Sequence, residues 1–134
     1  MYGTIFFNEG WRVIRQEEKQ KAAAKFRELS SGFIALGDET RQHIVLMLAE
    51  AGFDGMNVSD ITTRTHLSRP AISHHLKILR DAGIISSYKR GTQVFYYIYI
   101  AEKLVVMKEL IGLLEVIIAQ SEDHAPGSDS TPHP

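Results

Sequence analysis

The chain has no cysteine among its 134 residues. Disulfides, thiolate metal sites and thiol redox switching are excluded together. No apolar run approaches the ~18 residues that a membrane-spanning helix needs, and the opening residues lack a basic start followed by an apolar signal core. These absences predict a soluble, cytoplasmic chain with no membrane partner, and its length predicts one small domain. There is no glycine-rich phosphate loop, and no serine, histidine and acid are spaced to converge, so no catalytic residue is expected and the chain does not read as an enzyme. A strong charge of one sign is also missing. The formal net charge is −1, which at first sight argues against a polyanionic partner. Its distribution reverses that reading. Residues 59–93 hold six cations (Arg64, Arg69, Lys77, Arg80, Lys89, Arg90) against Asp60 and Asp81, a local +4, so the rest of the chain carries −5. Segregated charge of this kind is an electrostatic footprint for nucleic acid.

What is there is most informative at residues 67–83. Ser68 is a candidate N-cap, Pro70 falls in the first turn where a missing donor costs little, and Gly83 can close the helix in a left-handed conformation. Ile72, Leu76 and Leu79 share one stripe at i, i+4 and i+7. The opposite side carries Pro70, Ser73, His74, Lys77 and Asp81, with Arg69 on the flank near the N-terminus. Such a helix offers polar side chains to a groove, and double-stranded DNA supplies one.

The flanking residues extend the pattern. Residues 84–88 and 94–100 are β-branched and aromatic, the composition of strands. Between them Lys89, Arg90, Gly91, Thr92 and Gln93 predict a turn, hence a hairpin with a basic tip. Upstream, residues 57–65 predict a short helix with Ser59 as N-cap and Asp60 at the positive end of its dipole. Thr65, His66 and Leu67 would form a tight turn with φ > 0 at His66. Helix, turn, exposed polar helix and basic hairpin make a winged helix-turn-helix: a mainly α chain with a small β-hairpin (α+β), flanked by N- and C-terminal dimerisation helices.

The remaining segments divide into residues 1–24 (N-terminal extension and start of the first helix), 25–100 (the DNA-binding domain), 101–120 (a dimerisation helix) and 121–134 (a tail rich in Pro, Ser, Asp and His, read as disordered). Residues 1–7 are read as a packed apolar extension, and a helix is expected from about Asn8, with Trp11, Ile14, Ala22, Phe26, Leu29, Phe33 and Leu36 at helical spacings. Ser30, Ser31 and Gly32 are expected to kink or break it. Gly37 ends it and Asp38 caps the next helix, residues 39–51, which sends Ile44, Leu46, Met47 and Leu48 into the core. In residues 101–120 the apolar positions form two stripes: Leu104, Met107, Ile111, Leu114 and Ile118, beside Val106, Leu110, Leu113 and Ile117. One small domain cannot cover so wide an apolar arc. One stripe is expected to meet a second copy, with Phe26 and the first stripe as dimerisation residues.

The string Gly37-Asp38-Glu39-Thr40-Arg41, in register with Ser73-His74-His75-Leu76-Lys77 and the tyrosine-rich second strand, resembles the ArsR-type winged-helix regulators over roughly residues 25–118. The resemblance implies a small homodimeric transcription repressor of the kind that often senses metal. One family site uses Cys-Val-Cys-Asp-Leu, where this chain reads Asn57-Val58-Ser59-Asp60-Ile61. A second draws Asp and His from the last helix, and residues 101–120 contain neither. The other histidines have no ligand spacing. No metal site and no cofactor are expected.

The function read from these residues is a sequence-specific DNA-binding transcription regulator, a homodimeric repressor on an inverted-repeat operator. Ser68, Arg69, Ser73, His74, Lys77, Lys89 and Arg90 are the candidate DNA contacts. Arg69 and Ser73 suit base edges, His74 and Lys77 base or phosphate, and Arg90 the minor groove or the backbone. Arg80 reads equally as a contact or a plain surface charge, and His75 as a packing residue. Two alternatives stay open: a winged helix used as a protein-interaction module, and a metabolite sensor with an unidentified small-molecule effector at the dimer seam near Trp11 and Phe26.

Overall fold

The computed structural model describes residues 6–123, with side chains described from 16 to 122. In chain order it holds α1 (Phe6–Leu36), α2 (Glu39–Ala51), a 3-10 turn (Gly52–Asp54), α3 (Val58–Thr63), α4 (Arg69–Asp81), β1 (Ile85–Arg90), β2 (Gln93–Ile98) and α5 (Ala101–Asp123). This is the expected helical architecture with one antiparallel hairpin. Residues 29–105 form one compact unit, and residues 6–28 with 106–123 belong to a second. Among the described residues no helix is long and apolar enough to cross a membrane.

Local chemistry sets the element ends. Asp38 caps α2 by accepting the Arg41 N–H at 3.0 Å, and that bond, ahead of the nearby positive charges, holds its carboxyl below the usual range. The cap of α3 is Asn57 and not Ser59. Asn57 Oδ1 accepts the Asp60 N–H at 2.8 Å while Asp60 Oδ2 accepts the Asn57 N–H at 3.3 Å, a reciprocal capping box. An amide side chain two residues earlier thus outcompetes the serine. Ser68 caps α4 through the Ala71 N–H, with Pro70 in the first turn, as expected. At the other end Gly83 takes φ +76°. Its N–H donates to Arg80 O and the Ile84 N–H to Leu79 O, both at 3.0 Å, which satisfies two carbonyls that the last turn leaves over.

The core lies in residues 29–105. Ile44, Leu48, Ile61, Ile72, Leu76, Leu79, Ile84 and Ile85 are fully buried together, and Tyr96, Ile98 and Ile100 pack against them. Each such aliphatic side chain contributes about 1.5–3 kcal/mol. The hairpin runs in register from Ile85↔Ile98 to Arg90↔Gln93. A further bridge pairs Met56 with Tyr96, and it demands glycine at 55, where φ is +72° and a Cβ would run into the Tyr96 carbonyl.

Several expectations need correction. The helix α1 runs unbroken through Ser30, Ser31 and Gly32 and is already helical at Phe6, ahead of Asn8. Leu29 and Ala35 are fully buried on either side of the expected break, and a Cβ on Gly32 would lie 3.6 Å from Ile84 Cδ1. Packing outweighs the weak helix propensity there. Phe6 and Phe7 are helical and not a separate extension; residues 1–5 lie outside the described residues. His66 does not adopt φ > 0, since every positive φ among the described residues belongs to glycine. The turn is closed instead by Thr65 Oγ1, which accepts the Leu67 N–H at 3.3 Å. Leu46 is 65% exposed, being off the stripe that buries Ile44, Met47 and Leu48. Residues 121–123 are helical and complete α5, while the rest of the expected tail lies outside the described residues.

Candidate nucleic-acid interface

Burial of Ile72, Leu76 and Leu79 leaves the opposite side of α4 to solvent, and Ser68, Arg69, Pro70, Ser73, His74 and Lys77 are all exposed there. The expected face is therefore assembled on one helix. Its cations have partners within the chain. Arg69 Nη1 donates to Ser59 Oγ at 2.8 Å, which ties the start of α4 to α3. Lys77 Nζ pairs with Asp81 Oδ2 at 2.9 Å, one helical turn on. With both side chains largely exposed, that pair is worth roughly 0.2–1 kcal/mol, so DNA phosphate can compete for the lysine. Arg80 lies beside the wing and donates to Ser87 Oγ at 3.2 Å.

The wing is tighter than residues 89–93 suggest. Its turn is only Gly91 and Thr92, with Gly91 at φ +64°, so Lys89 and Arg90 end β1 and are not turn residues. Both are exposed. Arg90 folds over two rings, its Cζ 4.9 Å from the Phe95 centroid and 5.8 Å from that of Tyr88. The wing is fastened to the helix-turn-helix by the Met56–Tyr96 bridge and by Asn57 Nδ2 donating to Gln93 Oε1 at 2.9 Å.

Sequence reasoning missed two groups of residues. The first centres on Arg41. Its Nε donates to Ala35 O at 2.7 Å and its Nη2 to Ile34 O at 3.3 Å, which satisfies carbonyls at the end of α1. Its Nη1 lies 3.3 Å from Nδ1 of His75, half-buried on α4. Burial, reinforced by the Arg41 and His74 charges and opposed by Asp38, pushes the His75 pKa down. A neutral imidazole can accept from Arg41. No local pattern signals a contact across 34 residues. The second group is the ring pair Tyr88 and Phe95. Here a signal existed, since Tyr88 and Arg90 are two apart on a strand and share a face.

On the dimerisation residues, Leu104, Ile111 and Ile118 of α5 are 43%, 56% and 55% exposed, and Phe26 of α1 is 45% exposed. Met107 and Leu114 are half-buried, while Leu110 of the neighbouring stripe is buried. Val105 and Val116, outside both stripes, are exposed as well. The side chain of Trp11, near which an effector was expected, lies outside the described side chains. Among the described residues no three His, Asp or Glu side chains gather where a metal ion could be held.

A capped helix with a cation-bearing outer face, a preceding short helix and a basic hairpin define a winged helix-turn-helix regulator. Residues 38–87 match the bacterial regulatory proteins of the arsR family. Over 91 residues the chain is 41% identical to the uncharacterized HTH-type transcriptional regulator MJ1325 of Methanocaldococcus jannaschii, covering 68% of this chain and 96% of that one. It is 38% identical over 68 residues to the transcriptional repressor SdpR of Bacillus subtilis, covering 51% and 72%. The solved structure of an ArsR-like transcriptional regulator from Rhodococcus sp. RHA1 superposes with a TM-score of 0.62 at 32% identity, over 75% of this chain and 96% of that one. The chain belongs to the ArsR family. It is a DNA-binding transcription regulator and not an enzyme.

Proposed function

We propose that the protein is a homodimeric repressor that binds an inverted-repeat operator in the cytoplasm and does not respond to metal. The observation that carries the reading is the division of α4, whose buried stripe fixes the helix while Arg69, Ser73, His74 and Lys77 stand on its exposed side. Two such helices related by a two-fold axis enter successive major grooves about one helical turn apart. Arg69 and Ser73 read base edges, Ser68, His74 and Lys77 position the helix, and Lys89 and Arg90 contact the DNA from the wing. The two-fold pairing is supported by the apolar side chains left exposed at Phe26, Leu104, Ile111 and Ile118, with Met107 and Leu114 beside them.

Insensitivity to metal is supported by what occupies the resemblance's thiolate positions. Asn57 is engaged as the cap of α3 and with Gln93, and Ser59 holds Arg69. An amide and a hydroxyl in those roles are poor ligands for soft metals. Any effector is a small molecule of another kind.

Selection from a random DNA pool yields the operator, on which Arg69→Ala and Arg90→Ala are compared at several salt concentrations. Loss of Arg69 costs about 1–3 kcal/mol and relaxes preference at one position of each half-site. Loss of Arg90 weakens binding to operator and scrambled DNA alike and lowers the salt slope by about 0.9 per contact. Two variants that both bind like the parent would overturn the reading and favour a protein-interaction module.

A further inference from the structure

We infer that Phe95 and Tyr88 form an aromatic seat that holds the Arg90 guanidinium in place for the wing's contact with DNA; this rests on the DNA reading given above. Tyr88 and Phe95 face each other across the hairpin and their rings stack at 5.6 Å with an interplanar angle of 19°. Arg90 lies two residues beyond Tyr88 on the same face, and Phe95 is its diagonal neighbour on β2, a spacing that long side chains span. The guanidinium carbon therefore comes within 4.9 Å of one centroid and 5.8 Å of the other, inside the ~6 Å range of cation–π attraction.

A hydrogen-bond chain fixes the seat from below. Tyr88 Oη donates to Asp54 O at 2.8 Å and accepts from Arg90 Nη2 at 3.1 Å. The phenol thus uses its donor on the turn after α2 and its acceptor site on the arginine. Tyr97, 6.0 Å from Tyr88 and 6.2 Å from Phe53, continues the aromatic row away from the wing tip. Among the described residues no other acceptor meets the guanidinium, so its remaining N–H groups are left for acceptor atoms on DNA.

Two features separate this arrangement from a plain surface cation. A free arginine has many rotamers to lose on binding, and a side chain already seated loses fewer. Lys89 next to it points to the other face of the hairpin, away from the rings. The wing therefore carries one oriented cation and one unoriented one. Tyr88 and Phe95 act through Arg90 and are positioning residues.

The test uses the full chain with Phe95→Leu, Phe95→Tyr and Arg90→Ala, and Phe95→Leu combined with Arg90→Ala. In the free protein the Phe95 ring current should shift the Arg90 side-chain N–H resonance upfield, and Phe95→Leu should abolish that shift while Phe95→Tyr keeps it. On the selected operator Phe95→Leu should lose about two- to fivefold in affinity with the parent's salt slope, and Phe95→Tyr should bind like the parent. In the Arg90→Ala background the same loss should vanish. An equal loss in both backgrounds would mean that the ring only supports the fold, and unchanged or tighter binding by Phe95→Leu would mean that the stack does nothing for DNA; either result overturns the seat. If Arg90→Ala binds like the parent while Arg69→Ala does not, the wing contact itself is wrong and the seat's role falls with it, whatever the resonance shows.

Discussion

Residues 29–105, although Leu46 and Phe53 stay exposed there, hold a closed apolar core, whereas the unit made of residues 6–28 with 106–123 has few buried apolar side chains among those described. The first closes over its own core, with Ile44, Leu48, Ile61, Ile72, Leu76 and Leu79 shut from solvent. In the second, Ala22 and Leu110 are the buried apolar residues among those described, while Phe26, Ile111, Val116 and Ile118 stay 43–56% exposed. Composition does not explain the contrast, since α5 is richer in apolar residues than α4. Periodicity does. The helix α4 confines its apolar residues to one stripe that a single chain covers, whereas α5 spreads them around an arc that a single chain does not. A unit of the first kind should fold at any dilution. One of the second kind gains most from a second copy.

The largest expected effect breaks the second unit. Replacing both Ile111 and Ile118 with Glu should give monomers by sedimentation, with operator affinity down about 10²–10⁴-fold as paired half-site binding is lost and helix content largely kept. Leu46→Glu, at a position in the first unit that is 65% exposed, should leave sedimentation unchanged. If the Ile111 and Ile118 variant stays dimeric, or Leu46→Glu alone gives monomers, the seam does not lie on α5.

The next effect sharpens the first half of the comparison. In that monomeric background Leu76→Ala should cost about 2–5 kcal/mol by urea unfolding, as for a buried leucine that leaves a cavity. The midpoint should not move with protein concentration. A monomeric background with no cooperative transition would show that residues 29–105 also need the partner.

The smallest effect concerns His75. Its pKa is pushed down in the folded chain, so the unfolded state takes up the proton first as pH falls. The neutral ring's contribution is complete above the ordinary histidine pKa of about 6.5 and is lost as pH drops from there toward the folded value. Urea midpoints between pH 7.5 and 5.5, values set about the ordinary histidine pKa, should fall for the parent and stay flatter for His75→Gln, which can still accept from Arg41. The Asp38 carboxyl, held low by the Arg41 N–H, loses its contribution only below the usual aspartate pKa of about 3.9, outside that window.

Legibility followed the range of the forces involved. The helix α4 was readable to its ends because Ser68, Pro70, the Ile72, Leu76 and Leu79 stripe, and Gly83 all act within a few residues of one another. The hairpin is legible as a hairpin, but residues 89–93 suggest too wide a turn, because Gly91 with Thr92 suffices and the basic pair stays in β1. Sequence alone points to Ser59 as the cap of α3 because either serine or asparagine can serve, and the Asn57–Asp60 reciprocity decides for Asn57. The expected break at Ser30, Ser31 and Gly32 reflected intrinsic preference, which the burial of Leu29 and Ala35 overrules. The exposed polar face of α4 is visible from sequence, and with it the i, i+4 pair of Lys77 and Asp81. Ser59 beside Arg69 and the rings under Arg90 are not, because they are set by which elements touch and at what register.

The two fastenings between the wing and the start of α3, the Met56–Tyr96 bridge and the Asn57–Gln93 hydrogen bond, have a mechanical consequence. A hairpin pinned at two successive residues cannot pivot about its base without breaking the Met56–Tyr96 main-chain hydrogen bonds, and with Arg69 tied to Ser59 and Arg80 to Ser87, reading helix and wing travel as one stiff jaw. In the proposed dimer, tightening or loosening the grip on DNA then falls to the span between its two jaws. A regulatory signal would be sought as a change of reach, visible as altered tolerance for operators whose half-sites are moved one base pair closer or further apart.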